Sequence, residues 1–175
     1  MNAHRMLVGL LAVAAVTAPV LMGVQRSKTA SEGSQGRYIV VIGGCNNCHT
    51  RGYLQAESKV PEADWLAGDV TGYYGPWGTS YPTSLRLLAS AMTEDAWVKF
   101  SRELKTLPPM PWWVMHEMRE SDVRAMYQFI KGLGSKEGNT PADLPPGQKP
   151  SPPYVAFVFG AAGQEQGARA AESQK

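Results

Sequence analysis

The chain carries only two cysteines and three histidines in 175 residues. Without a third cysteine it has no disulfide framework to staple its fold. A structural zinc site on the two cysteines would need two more ligands. Only His49 and His116 stand ready, and His49 lies too close to Cys48 in sequence for the usual spacing. Charge is also sparse: 17 basic residues face 15 acidic ones, a net of +2. No basic run suggests nucleic acid, and no acidic block would repel a partner. Removing residues 1–30 takes away Arg5, Arg26 and Lys28, leaving 14 basic against 15 acidic residues, or −1. Serine, aspartate and glutamate are present, but no motif clusters them with a further group that would activate a nucleophile. The expectation is a protein without a substrate of its own.

What the chain does have is Cys45-Asn46-Asn47-Cys48-His49, which uses both cysteines. C-x-x-C-H is the attachment signature of c-type haem. On a helix, positions i, i+3 and i+4 share one face, so both thiols can reach the vinyl edges of one porphyrin while the imidazole points at its iron. A redox disulfide is the competing reading, with Tyr38-Ile39-Val40-Val41-Ile42 as its leading strand. That reading leaves His49 without a task, and no alternation of strands and helices follows. A structural disulfide across two residues would be strained and close almost no loop. The motif therefore predicts one covalently bound haem c, with His49 as its first iron ligand.

The N-terminus is basic to Arg5, and Met6 to Val24 then runs without a charge, interrupted by Pro19. Residues 1–30 read as an export signal or a membrane anchor. Thr17-Ala18 is met by Pro19, and Thr29-Ala30 follows Lys28, so no clean cleavage site stands out; the balance favours cleavage. Either way the expected location is the periplasm, soluble or tethered. Residues 31–35 read as a linker and 36–134 as the domain. Residues 135–175 read as a Pro- and Gly-rich tail with a disordered end, whose aromatic patch at 154–159 should lie against the domain.

Within the domain, Gly36 to Thr50 reads as a first helix running into the motif, and residues 51–90 as a long functional loop. Thr93 reads as the N-cap of a helix carrying Trp97, Phe100 and Leu104. A last helix, capped by Ser121 or Asp122, presents Val123, Met126, Tyr127 and Ile130 on one face and ends at Gly132 or Gly134. The sixth iron ligand falls to Met110, which prolines on both sides hold in an extended loop. His116 is its rival. Trp77, Tyr81 and Arg86 are candidate donors to the haem propionates. The second ring nitrogen of His49 needs an acceptor, and the carbonyl of Pro76 is preferred for it over that of Pro61.

These residues resemble the class I c-type cytochromes, above all the monohaem modules in cytochrome subunits of bacterial membrane-bound alcohol and aldehyde dehydrogenases. The resemblance spans residues 36–134. It rests on Gly36 and Tyr38 ahead of C-x-x-C-H-T, on Leu66-Ala67-Gly68 and Gly75-Pro76-Trp77-Gly78-Thr79, and on Trp97 and Phe100. Pro109-Met110-Pro111 and Asp122, Ala125, Tyr127 and Ile130 continue it, with a weaker echo in Leu144-Pro145-Pro146-Gly147 and Pro152-Pro153-Tyr154. It implies an all-α, class I cytochrome c-like domain around one covalent haem, its first and last helices crossing. It also implies one-electron transfer with redox proteins as partners: a periplasmic dehydrogenase, other cytochromes or a terminal oxidase. Where such modules carry Thr-Asn-Ile-Thr-Pro-Asp, this chain reads Pro82-Thr83-Ser84-Leu85-Arg86. The haem contacts made there do not carry over.

Overall fold

A computed structural model describes residues 33–160. Within them, helix α1 covers residues 33–42, and α2 (Cys45–His49) carries the cysteine motif. Then come α3 (Leu85–Ala91), α4 (Glu94–Glu103), α5 (Trp112–Glu117) and α6 (Glu120–Gly132). A short 3₁₀ turn lies at Glu62–Asp64. Strands β1 (Gly72–Gly75), β2 (Gly78–Ser80) and β3 (Tyr154–Ala156) form one sheet in the order β2-β1-β3.

This sheet overturns the all-α expectation. The described residues make a mixed fold of six helices and a three-stranded sheet, antiparallel between β1 and β2 and parallel between β1 and β3. The loop expected over 51–90 holds the hairpin, and Ser84 caps α3 by accepting from the Leu87 amide. Gly75 pairs with Gly78 across the Pro76-Trp77 turn. The indole of Trp77 folds back over Gly75 so closely that a Cβ there would sit 2.5 Å from the ring. Only glycine permits that approach.

The aromatic patch of the tail supplies the third strand. Gly72 faces Tyr154 and Tyr74 faces Ala156. The Phe157 amide donates to the Tyr74 carbonyl at 2.8 Å. The Phe157 ring packs 5.3 Å from that of Trp77, so the patch lies on the domain as expected up to this residue. Val158 and Phe159 remain 86% and 75% exposed.

The helical half follows its sequence pattern more closely. Thr93 caps α4 through its hydroxyl, with Trp97 buried. In α6, Val123, Met126, Tyr127 and Ile130 are all buried, although the helix starts at Glu120 with Arg119 in the cap position rather than Ser121 or Asp122. Trp97 meets Tyr127 with ring centroids 5.9 Å apart, and the Tyr127 hydroxyl donates to the Met92 carbonyl. The first helix is not continuous into the motif. Gly43 and Gly44 interrupt it, and Gly44, at φ +68°, starts α2 in a new direction.

Helices α1 and α6 cross at Gly36, where a Cβ would lie 2.0 Å from the Ala125 carbonyl oxygen and 2.7 Å from the Phe129 Cβ. Backbone cannot yield as a flexible side chain can. Gly36→Ala is therefore expected to destabilise the chain by about 3 kcal/mol or more in urea unfolding. Gly33, with nothing within 4 Å of its Cβ position, should gain about 0.5–1 kcal/mol as Gly33→Ala. Equal effects of the two substitutions would refute this crossing.

Candidate cofactor site

The motif helix is fixed to the body by polar links at its C-terminal end. Asn46 and Thr50 are buried at 1% and 0% exposure. The Thr50 hydroxyl donates to Asn46 Oδ1 at 2.7 Å and accepts from the Leu66 amide at 2.8 Å. The Gly68 amide donates to the His49 carbonyl at 2.9 Å. One helical turn thus holds Cys45, Cys48 and His49 on a frame that cannot rotate without breaking buried hydrogen bonds.

His49 is buried, and its Nδ1 lies 2.7 Å from the Thr83 carbonyl oxygen. A carbonyl only accepts, so Nδ1 carries the proton and Nε2 keeps its lone pair. Burial pulls the imidazole pKa below its ordinary value, outweighing the opposing effect of the Thr83 bond. The ring is therefore a neutral, oriented imidazole with one free nitrogen, the form that ligates a metal. The acceptor is Thr83; Pro76, expected in this role, lies exposed at the hairpin tip.

Both cysteines are free and partly buried. Burial pushes the Cys45 thiol up to about 11, and Cys48 adds to the rise. A redox-disulfide nucleophile needs the opposite shift. Beside Cys48 stands the Tyr73 hydroxyl, whose own pKa is raised by burial first and then by the neighbouring Cys48 thiol. Strand β1 thereby reaches the motif, a contact that the Gly72-Tyr73-Tyr74-Gly75 run hinted at only as an aromatic segment.

Met110 and Cys45 both border the buried core as partly exposed side chains. The Met110 loop is tied to β2 by the Ser80 hydroxyl, 2.5 Å from the Pro108 carbonyl. It is tied to α5 by the Trp112 amide, which donates to the Met110 carbonyl. His116 is engaged elsewhere: its Nε2 lies 2.9 Å from the Leu104 carbonyl, and its ring stacks on Trp112 at 5.1 Å. The Leu104 bond joins the end of α4 to α5, and the Trp112 contact lies within α5. Among the described residues no group of three or more His, Cys, Asp or Glu side chains is placed to hold a metal ion.

Two of the three expected propionate donors, Trp77 and Arg86, have other partners for their donor groups. Trp77 Nε1 donates to the Tyr73 carbonyl at 3.2 Å, and Tyr81 packs over Gly72 while its backbone amide donates to Asp143. Arg86 is reassigned most clearly. Its guanidinium, buried, donates to the carbonyls of Gly134 at 2.6 Å, Ala63 at 2.8 Å and Leu133. These include carbonyls just past the C-terminus of α6, where a cation satisfies both orphan acceptors and the helix dipole.

The chain matches no family model, no curated protein and no solved structure. The charged site at Arg86 yields a direct test. Arg86→Met removes the donor to the Leu133 and Gly134 carbonyls and leaves Ala63 only its long bond from Lys136, and should cost about 3 kcal/mol in urea unfolding. Arg86→Lys, which lacks the planar fork, should recover less than half of that loss. A neutral Arg86→Met variant would overturn the structural assignment.

Proposed function

We propose that the chain is an exported monohaem c-type cytochrome that carries single electrons and has no substrate of its own. The observation that carries this reading is the buried His49 ring, oriented by the Thr83 carbonyl so that Nδ1 donates and Nε2 is left for a ligand, on the same helical turn as two free thiols. That donor set fits a covalent haem: Cys45 and Cys48 would hold the porphyrin by thioether bonds, and His49 Nε2 with the Met110 thioether would bind its iron. The haem would supply reversible one-electron exchange between ferrous and ferric iron. The protein's own residues orient the imidazole through the Thr83 carbonyl and hold both thiols on the same turn.

The export segment assigned to residues 1–30 lies outside the described residues, and the periplasm, with or without a tether, is the proposed location. Among the described residues no helix is long and apolar enough to cross a membrane. Partners would be redox proteins such as a periplasmic dehydrogenase, other cytochromes or a terminal oxidase. Trp113 is 56% exposed and Val114 41% exposed on α5, just beyond the Met110 loop. They favour apolar docking over strong charge steering. A second version of the same role is an electron-accepting subunit docked to a periplasmic dehydrogenase through its tail, which the exposed Val155, Val158 and Phe159 at or just beyond β3 favour.

Alkaline pyridine treatment of the exported chain should give a c-type haemochrome, with the haem retained through acidified acetone. Cys45→Ala or Cys48→Ala should impair that retention. Met110→Ala should remove the near-infrared sulfur-to-iron charge-transfer band of the ferric protein and open the iron to cyanide. Haem that extracts freely would defeat covalent attachment, and a band that survives Met110→Ala would assign the sixth ligand elsewhere.

A further inference from the structure

A backbone carbonyl has no rotamer of its own; its direction is set by the residues on either side. The Thr83 side chain is exposed and makes no hydrogen bond to the described residues, so it does not hold its own carbonyl toward His49. The neighbours do. The Tyr81 amide donates to Asp143 Oδ1 at 2.9 Å. The Pro82 carbonyl accepts from the Thr140 hydroxyl and from the Asp69 amide, each at 3.1 Å. The Ser84 hydroxyl donates to the Lys136 carbonyl at 2.7 Å. Three of these four tethers come from one short piece of the tail.

From this arrangement we propose that residues 136–143 form a positioning strap for the His49 imidazole, acting through Pro82, Thr83 and Ser84. The proposal rests on the reading of His49 as an iron ligand, and Thr140 is its principal positioning residue.

The strap's own geometry supports this. At Gly138 a Cβ would sit 2.2 Å from the Ala67 carbonyl oxygen, and Asn139 adopts a left-handed φ of 55°. Glycine and asparagine are the residues that permit such a close, left-handed turn. The turn delivers the Thr140 hydroxyl to Pro82. It also presses on Gly68, where a Cβ would lie 2.3 Å from Thr140 Oγ1 and 3.0 Å from the Pro82 carbonyl oxygen. Gly68 is the residue whose amide holds the His49 carbonyl. The strap therefore braces His49 twice, at its backbone through Gly68 and at its ring through Thr83. A ligating histidine whose second nitrogen donates to a fixed carbonyl has a set plane and a more basic iron-binding nitrogen.

The test uses the full chain with isotope-labelled histidine. Thr140→Val removes the hydroxyl at nearly constant volume, and Asp143→Ala removes the second tether. The His49 Nδ1–H should exchange with solvent about fivefold faster in Thr140→Val, the loss expected for one modest hydrogen bond. The amides of Val123 and Ile130 in α6 should keep their wild-type rates, and Thr140→Ser should restore slow exchange at His49. In the haem-bound chain the midpoint potential should rise in Thr140→Val, because a weaker N–H bond makes the imidazole a poorer donor to ferric iron. Val158→Ala, in the exposed end of the tail, should move neither readout. Unchanged His49 exchange in Thr140→Val and in the Thr140→Val/Asp143→Ala pair would overturn the strap. So would faster exchange that only tracks the α6 amides, or that Thr140→Ser fails to reverse. If the double variant does not fold, the Thr140→Val and Thr140→Ser pair decides alone. A chain found without haem would defeat the carrier reading, while the ring N–H exchange would still decide the strap.

Discussion

The bond from the His49 ring to the Thr83 carbonyl is the constraint on which the arrangement of the site depends. A buried imidazole N–H left without an acceptor would cost about 1–3 kcal/mol, so any conformation that loses this bond is selected against. The bond also fixes which nitrogen is free. Cys45, Cys48 and His49 are neighbours in sequence and need only a turn of helix to share a face. Thr83 is distant in sequence, and the fold must bring its carbonyl to the ring. Much of the architecture can be read as the means of doing so.

Two halves meet at this point. On the helical side, α1 and α6 cross backbone to backbone at Gly36, and Trp97 and Tyr127 join α4 to α6. On the other side, the sheet sets Tyr73 beside Cys48, with Trp77 and Phe157 packed against each other. Arg86 ties α3 to the carbonyls past the end of α6, which fixes the residues immediately after Thr83 relative to the helical half. Residues 135–157 are thus part of the domain: they hold the 81–84 segment, bridge β2 at Leu144 and add the outer strand. A tail without these roles would have no reason to retain its tyrosine and phenylalanine.

How much of this was legible in the sequence follows from the range of each interaction. The Thr93 cap and the apolar face of α6 are written in residues a few positions apart, and both are found as expected. The sheet depends on β1 pairing in parallel with a strand some eighty residues later, which no local pattern encodes; Gly72 and Gly75 disguise β1 further as loop. Arg86 has a side chain suited to anions, but its acceptors are backbone carbonyls from three distant residues, and carbonyls carry no sequence signal. The same blindness made Pro76 a plausible partner for His49, because a Pro-bearing loop was visible and the position of the Thr83 carbonyl was not. Gly43 and Gly44 were a readable sign that the first helix would break, overridden by the expectation of one continuous helix into the motif.

The central claim is that Cys45 and Cys48 together hold one haem whose iron His49 binds. Trypsin cutting after Arg37 and Arg51 isolates all three residues in a single peptide, 38–51. Mass spectrometry of that peptide from the exported chain, denatured and treated with a thiol alkylator, is the most direct measurement. The account predicts the peptide mass plus one haem, with neither cysteine alkylated. A peptide carrying two alkylated cysteines and no haem would contradict it.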